Sequence, residues 1–170
     1  DPDIISALYE ASAAGVKIDL IVRGICCLRV GIPEVSENIT VRSIVGNFLE
    51  HSRIYWFENG GRPEVYAASA ASADWMPRNL DRRVEIMFPL EEPAIAEKAI
   101  HILDLELADT EQASILQPDG SYERVDRRGK ESVNSQKLFG EEARRAAEQK
   151  KEDALRNRVF IPETSEGHEE

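Results

Sequence analysis

Between Glu50 and Arg83 stand one of the chain's three histidines, both tryptophans and five arginines. His51 and Arg53 sit two apart, just ahead of the apolar run Ile54-Tyr55-Trp56-Phe57. The pattern predicts a strand that opens at His51, and alternate side chains of a strand share a face. A titratable imidazole would then stand beside a permanently charged guanidinium, a pairing suited to phosphate chemistry. Asn59-Gly60-Gly61 predicts a turn into a second, antiparallel strand through Val65-Tyr66-Ala67. That strand would carry the segment from Ser72 to Asn79 back to the same end, so that histidine, arginines, hydroxyl and amide converge on one pocket.

Other elements must position these groups. Lys17 to Arg23 is a short apolar run, too short for a helix and long enough for a buried strand. Arg23 closes it and Gly24 lets the chain turn, which places the guanidinium at a strand's carboxyl end, where open α/β sheets hold ligands. Thr40 to Val45 alternates as a half-buried strand, and Asn47 to Glu50 read as a short turn or helix leading into His51. A strand over Arg83 to Pro89 would turn Arg82 and Arg83 to opposite faces. Pro2 to Ala14 has helical spacing, with Asp1 or Asp3 as cap and Gly15 as stop. Ala94 to Leu107 predicts a helix with Ile95, Ala99, Ile102, Leu103 and Leu107 on one side. Asp119-Gly120 marks a hairpin tip, Glu141 to Arg158 a solvent-facing charged helix, and Ile161 to Glu170 a disordered tail.

With 170 residues, 42% of them apolar, the chain suits an α/β domain with a real core. Its net charge of -11 is unevenly spread. Lys17 to Arg83 holds nine basic against eight acidic residues, whereas Val84 onward holds twelve against twenty-one. The overall acidity therefore does not exclude a phosphate site in the first half. No apolar run is long enough to span a bilayer and no basic-then-apolar leader opens the chain, which reads as cytoplasmic. The first residues fall straight into a helical pattern, as expected of a cut inside a longer protein. Cys26 and Cys27 are adjacent, poorly placed to bridge each other, and read as buried thiols at a strand end in a reducing compartment. His101 and His168 lack partners at metal-ligand spacing, and no Walker-type loop occurs, so phosphate capture would rest on arginines.

His51-x-Arg53, followed by a Gly-Gly turn, a strand, Ser72 and Asn79, resembles a variant of the phospholipase D superfamily motif. A closer resemblance is to the last catalytic domain of polyphosphate kinases of the histidine-phosphorylated type. It is carried by Leu20-Ile21-Val22-Arg23-Gly24-Ile25-Cys26-Cys27-Leu28, Ser43-Ile44-Val45-Gly46, Leu49-Glu50-His51-Ser52-Arg53 and the run from Ser72-Ala73-Asp74-Trp75-Met76-Pro77-Arg78-Asn79 to Glu85. It is strong from Ile4 to Pro89 and fades beyond Ile102. Departures are Val30 where the family has proline, Asn47 where it more often has arginine, and the tandem Ala-Ala-Ser repeat from Ala67 to Ala73, which lengthens the approach to the loop.

The resemblance implies a phospholipase D-like α/β sandwich, a mixed sheet flanked by helices with a C-terminal helical extension. It divides the chain into a catalytic domain over 1–113, a hairpin and charged helix over 114–160, and the tail 161–170. The implied activity is reversible transfer of the terminal phosphate of ATP to inorganic polyphosphate through a phosphohistidine in a preceding domain. His51 matches the second essential histidine, an acid or phosphate-orienting partner. Arg23 and Arg83 match nucleotide-phosphate contacts, and Arg53 is a helper. Mg2+ would be held by residues of the missing part, and the implied partners are ATP or ADP, polyphosphate, the preceding domains and a second copy in a homo-oligomer, with no nucleic acid. Two other readings fit the residues: a dimeric phospholipase D-like phosphodiesterase pairing two His51-Arg53 sites, and a non-catalytic polyanion- or nucleotide-binding module.

Overall fold

The computed structural model describes residues 1–68 and 74–156, with Leu155 by its backbone only. Two compact units divide the chain, Asp1–Gln136 and Lys137–Glu170. The first opens with helix α1, Pro2–Ala13, where the Asp1 carboxylate accepts from the backbone N–H groups of Asp3 and Ile4. An aspartate cap followed by proline in the first turn is a strong helix start, since it satisfies donors that have no partner inside the helix.

A mixed sheet follows. Strands β1, Ile18–Ile21, and β2, Ile39–Ile44, pair in parallel, with Ile18 opposite Ile39 and Ile21 opposite Arg42. Strand β6, Ala113–Leu116, runs antiparallel to β2, and β7, Tyr122–Arg124, antiparallel to β6. The β6–β7 hairpin turns at Asp119-Gly120, as the sequence predicts. Leu28, Val30, Ile39, Val41 and Leu116 form the core beneath this sheet, and Ile5, Leu8 and Tyr9 of α1 pack against it. Val41 is wholly buried, a burial worth about 1.5–3 kcal/mol.

The second sheet is an antiparallel meander of β3, Ile54–Phe57, β4, Glu64–Ala68, and β5, Met87–Pro89. Ile54 faces Ala67 and Phe57 faces Glu64. The connection between β3 and β4 needs left-handed backbone at Asn59, Gly60 and Gly61, with φ of 46°, 62° and 84°, conformations that asparagine and glycine adopt at least cost. Helix α3, Pro93–Ala108, packs on β3 and β4. It reaches the first sheet as well: Arg42 of β2 donates from Nη1 to the carbonyls of Glu106 (3.3 Å) and Asp109 (2.7 Å). Helix α4, Ser135–Arg156, carries the charged stretch that the sequence marks as helical.

Several expectations are corrected. His51 and Arg53 precede β3 rather than opening it, and of the turn or helix expected over Asn47 to Glu50 the chain shows a bend at 46–48 and no helix. The strand expected from Arg83 is confined to Met87–Pro89, because Pro89 ends it and residues 81–83 form a turn. Arg82 and Arg83 are therefore turn residues and not opposite faces of a strand. Cys27 is exposed and Cys26 half-buried, in irregular chain beyond β1. Ser69 to Ala73 of the Ala-Ala-Ser repeat, with Ser72 among them, and the expected disordered tail 161–170 lie outside the described residues.

Candidate functional site

Parallel pairing of β1 and β2 brings their carboxyl ends to one side of the sheet. The pairing runs one step past β1, with Val22 N–H donating to the Arg42 carbonyl at 2.7 Å. Ser43 Oγ then donates to the Arg23 carbonyl at 3.0 Å, so the backbone of Arg23 is tied to β2. Its side chain crosses to the chain leaving β2, where Nη1 donates to the carbonyl of Glu50, the residue before His51. Arg23 and the His51 segment thus meet at the carboxyl ends of the two parallel strands, where the sequence expects a ligand. His51 itself is exposed.

The segment between β2 and His51 is held from the far end of the unit. Gln136 accepts from Phe48 N–H through Oε1 at 3.0 Å and donates from Nε2 to the Phe48 carbonyl at 2.8 Å. One amide therefore replaces both strand partners that Phe48 would have had in a sheet. Gly46 lies against the same amide: a Cβ there would stand 2.4 Å from Gln136 Oε1 and 2.4 Å from Gln112 Nε2.

The Arg53 guanidinium is engaged by Asp74. Its Nη2 pairs with Asp74 Oδ1 at 2.5 Å and its Nη1 donates to the Ser52 carbonyl at 3.0 Å, with the side chain only 14% exposed. The Asp74 carbonyl in turn accepts from Asn79 Nδ2 at 2.9 Å, and Asn79 is wholly buried in the short helix α2, Pro77–Leu80. Trp75 stacks on Tyr55 of β3, ring centroids 5.2 Å apart at 16°, an offset stacking of aromatic faces. Arg53, Asp74 and Asn79 therefore fasten the segment that leads to Arg83 onto the segment that carries His51. Arg83 stands in the exposed turn after α2.

Glu106 is a residue that the sequence reading missed. It is 3% exposed, and its Oε1 has no hydrogen-bond partner among the described residues. Burial, then the charge and hydrogen bond of Glu50, then the charge of Asp109 push the Glu106 carboxyl up to about 8. A signal was present: Glu106 lies four residues after Ile102 and three after Leu103, on the apolar side of α3. Asp109 is buried too, with Oδ1 accepting from Gln112 N–H (2.7 Å) and Ala113 N–H (3.1 Å), and Oδ2 from Ser135 N–H and Oγ (both 2.8 Å). Among the described residues no three His, Cys, Asp or Glu side chains come together to hold a metal ion.

The family described as "Polyphosphate kinase C-terminal domain 2" matches residues 1–136. A polyphosphate kinase of Lactiplantibacillus plantarum is 58% identical over 146 residues, which are 86% of this chain and 20% of that protein. One of Pseudomonas aeruginosa is 56% identical over 132 residues, 78% of this chain and 19% of that protein. The crystal structure of polyphosphate kinase from Porphyromonas gingivalis superposes with a TM-score of 0.80 at 40% identity, over 88% of this chain and 22% of that one. The chain thus spans about a fifth of the length of the curated relatives it matches.

Proposed function

The chain belongs to the polyphosphate kinase C-terminal domain 2 family, and we propose that it forms the phosphate-handling half of a kinase that moves the terminal phosphate of ATP reversibly onto inorganic polyphosphate. The observation that carries this reading is the Arg23 guanidinium bound to the carbonyl of Glu50, immediately before His51. It joins a fixed cation and a titratable imidazole at the carboxyl ends of parallel strands.

Phosphoryl transfer passes through a loose transition state with charge on the oxygens of the moving group, so positioned cations supply most of the catalysis. In this reading Arg23 and Arg83 neutralise the phosphate oxygens. His51 donates a proton to the leaving oxygen, or holds it by hydrogen bond. Arg53 adds positive field from behind while it fixes the Asp74 segment. The phosphohistidine belongs to a preceding domain: its N–P bond forms as the terminal O–P bond of ATP breaks and ADP leaves, and breaks in turn as the terminal oxygen of polyphosphate forms the new O–P bond, so that both steps run backwards return the phosphate to ADP. The division into a catalytic domain, a charged helical extension and a tail goes with this reading, as do a cytoplasmic location, Mg2+ bound outside the described residues, and a homo-oligomer. No helix among the described residues is long and apolar enough to cross a membrane.

The test is titration of the 170-residue chain with a non-hydrolysable ATP analogue and with tripolyphosphate, beside Arg23→Ala and His51→Ala, at two salt concentrations. Salt-sensitive binding that both substitutions weaken is the expected result. Binding indifferent to both returns the chain to a general polyanion module. Polyphosphate synthesis by this chain alone, dependent on His51, would overturn the assignment of the phosphohistidine to another domain.

A further inference from the structure

Residues 45–53 belong to no strand, and their apolar side chains do not hold them in place. Val45, Phe48 and Leu49 are 66%, 66% and 72% exposed, so burial does little to fix this stretch. Yet His51 must stand in one place if it is to meet a phosphate. What holds the stretch is hydrogen bonding to its backbone from outside. The Gln136 amide takes both the N–H (3.0 Å) and the carbonyl (2.8 Å) of Phe48, and the Arg23 guanidinium takes the carbonyl of Glu50. Only Leu49 lies between these two anchors, and His51 follows the second. We propose that Gln136 is a positioning residue for His51: its amide sets the path of residues 48–50 and, through them, the place of the imidazole. The proposal rests on the reading of His51 as a phosphate-site residue.

Gln136 can hold another segment because its own position is fixed. It is buried, and its neighbour Ser135, wholly buried, donates N–H and Oγ to Asp109 Oδ2, both at 2.8 Å. Asp109, just after α3, accepts through its other carboxylate oxygen from the N–H groups of Gln112 and Ala113. Its carbonyl accepts from Nη1 of Arg42 at 2.7 Å, and Arg42 stands two residues before the end of β2. A circuit of hydrogen bonds thus runs from β2 across the end of α3 to the start of α4, and from there back to the chain that leaves β2. A primary amide suits the last contact, since its oxygen and its NH2 group reproduce the acceptor and donor that a neighbouring strand would offer. A residue that served only α4 would turn its side chain to the unpaired N–H groups of the first helical turn. Both functions of this amide go instead to Phe48.

NMR and binding measurements on the 170-residue chain decide this. In the wild type, nitrogen–carbon scalar couplings across the two hydrogen bonds should link Phe48 to the Gln136 amide, a measurement that needs no variant to fold. Gln136→Met keeps the length and volume of the side chain and removes both bonds. In that variant the Phe48 amide should exchange with solvent roughly tenfold faster, and the backbone order parameters from Leu49 to His51 should fall. Tripolyphosphate affinity should drop roughly fivefold, the cost of a misplaced contact. Leu8→Ala, which thins the packing of α1 on the core, controls for lost stability alone: it lowers the urea midpoint and leaves the affinity of the folded chain unchanged. A residue that acts through His51 has nothing to act on once the imidazole is gone, so Gln136→Met added to His51→Ala should bring no further loss. Missing couplings, unchanged order at His51 in Gln136→Met, an equal loss of affinity in Leu8→Ala, or additive losses with His51→Ala each overturn the proposal. Affinity indifferent to His51→Ala alone would overturn the phosphate reading instead, while the couplings and order parameters still decide whether Gln136 positions the histidine.

Discussion

Arg53 and Asp74 are paired at 2.5 Å across 21 residues of chain, the arginine almost wholly covered and the aspartate partly open to solvent. The pair bridges the segment before β3 to the segment that leads into α2. It makes Arg53 a fastener first, and this decides how substitutions at the two ends should differ.

Asp74→Ala removes no positive charge. If Arg53 met phosphate directly, freeing its guanidinium would tighten binding. Because the aspartate holds the segment carrying Arg83, we expect the opposite: tripolyphosphate affinity falls about fivefold, equivalent to about 1 kcal/mol. Stability falls by about 1–2 kcal/mol, modest because the carboxylate is partly solvated. Calorimetric titration and urea unfolding of the same variant check both, and tighter binding would return Arg53 to direct contact.

Asp109 predicts a larger loss. Its carboxylate accepts four hydrogen bonds from Gln112, Ala113 and Ser135, and it is fully buried. Asp109→Ala orphans all four donors, and Asp109→Asn turns one acceptor into a donor aimed at Ser135. Removal of one partner from a buried charged network costs about 3–5 kcal/mol, so both variants should shift the urea midpoint downward. The alanine variant shifts it further, and a loss of less than about 1 kcal/mol would show that water replaces the carboxylate.

Much of this arrangement is written in short-range pattern. The apolar run after Lys17, the alternation from Thr40, the Asn59-Gly60-Gly61 turn and the Asp119-Gly120 tip all sit in the elements they predict, because each rests on local backbone preference. The comparison with known polyphosphate kinases likewise agrees with the family that the words around Arg23, His51 and Asp74 resemble. What local pattern does not contain is the partner of a polar side chain. Arg53 stands two residues from His51 in sequence, yet Asp74 takes its guanidinium and the strand begins only at Ile54. Glu106 interrupts the apolar side of α3 and is nonetheless buried, and no pattern within that helix announces the influence of Glu50 from far earlier in the chain. Gln136 stands 88 residues from Phe48, and no periodicity links them.

Gly46 tests that long-range contact. A methyl group on its Cα would come to 2.4 Å from both the Gln112 and the Gln136 amide, closer than any side chain tolerates, and the Gln136 amide is already bound to the backbone of Phe48. Gly46→Ala must push that amide aside, at about 1–2 kcal/mol for an overpacked site. The Phe48 resonances should shift and tripolyphosphate binding should weaken, while Gln136→Ala in the same chain removes the Gln136 part of the clash and leaves that with Gln112, so that the double variant loses less than the sum of the two single losses. Additive losses would place the effect of the glycine elsewhere.

The buried Glu106 carboxyl fixes the direction of the stability profile. Its ordinary value of 4.5 is raised to about 8 in the folded chain by burial first and by Glu50 and Asp109 after it. Between those values the folded chain holds a proton that the unfolded chain has released, so stability falls as pH rises. The contribution is fully present below about 4.5 and lost once pH passes about 8. Glu106→Gln carries no titrating group there, and its unfolding free energy should stay level across the same window, crossing the wild-type curve so that the variant is the more stable chain on the alkaline side. Urea unfolding at intervals between the two values measures the slope. A wild-type profile as flat as that of the variant would mean that Glu106 is ionised throughout, with water or a cation reaching its carboxylate.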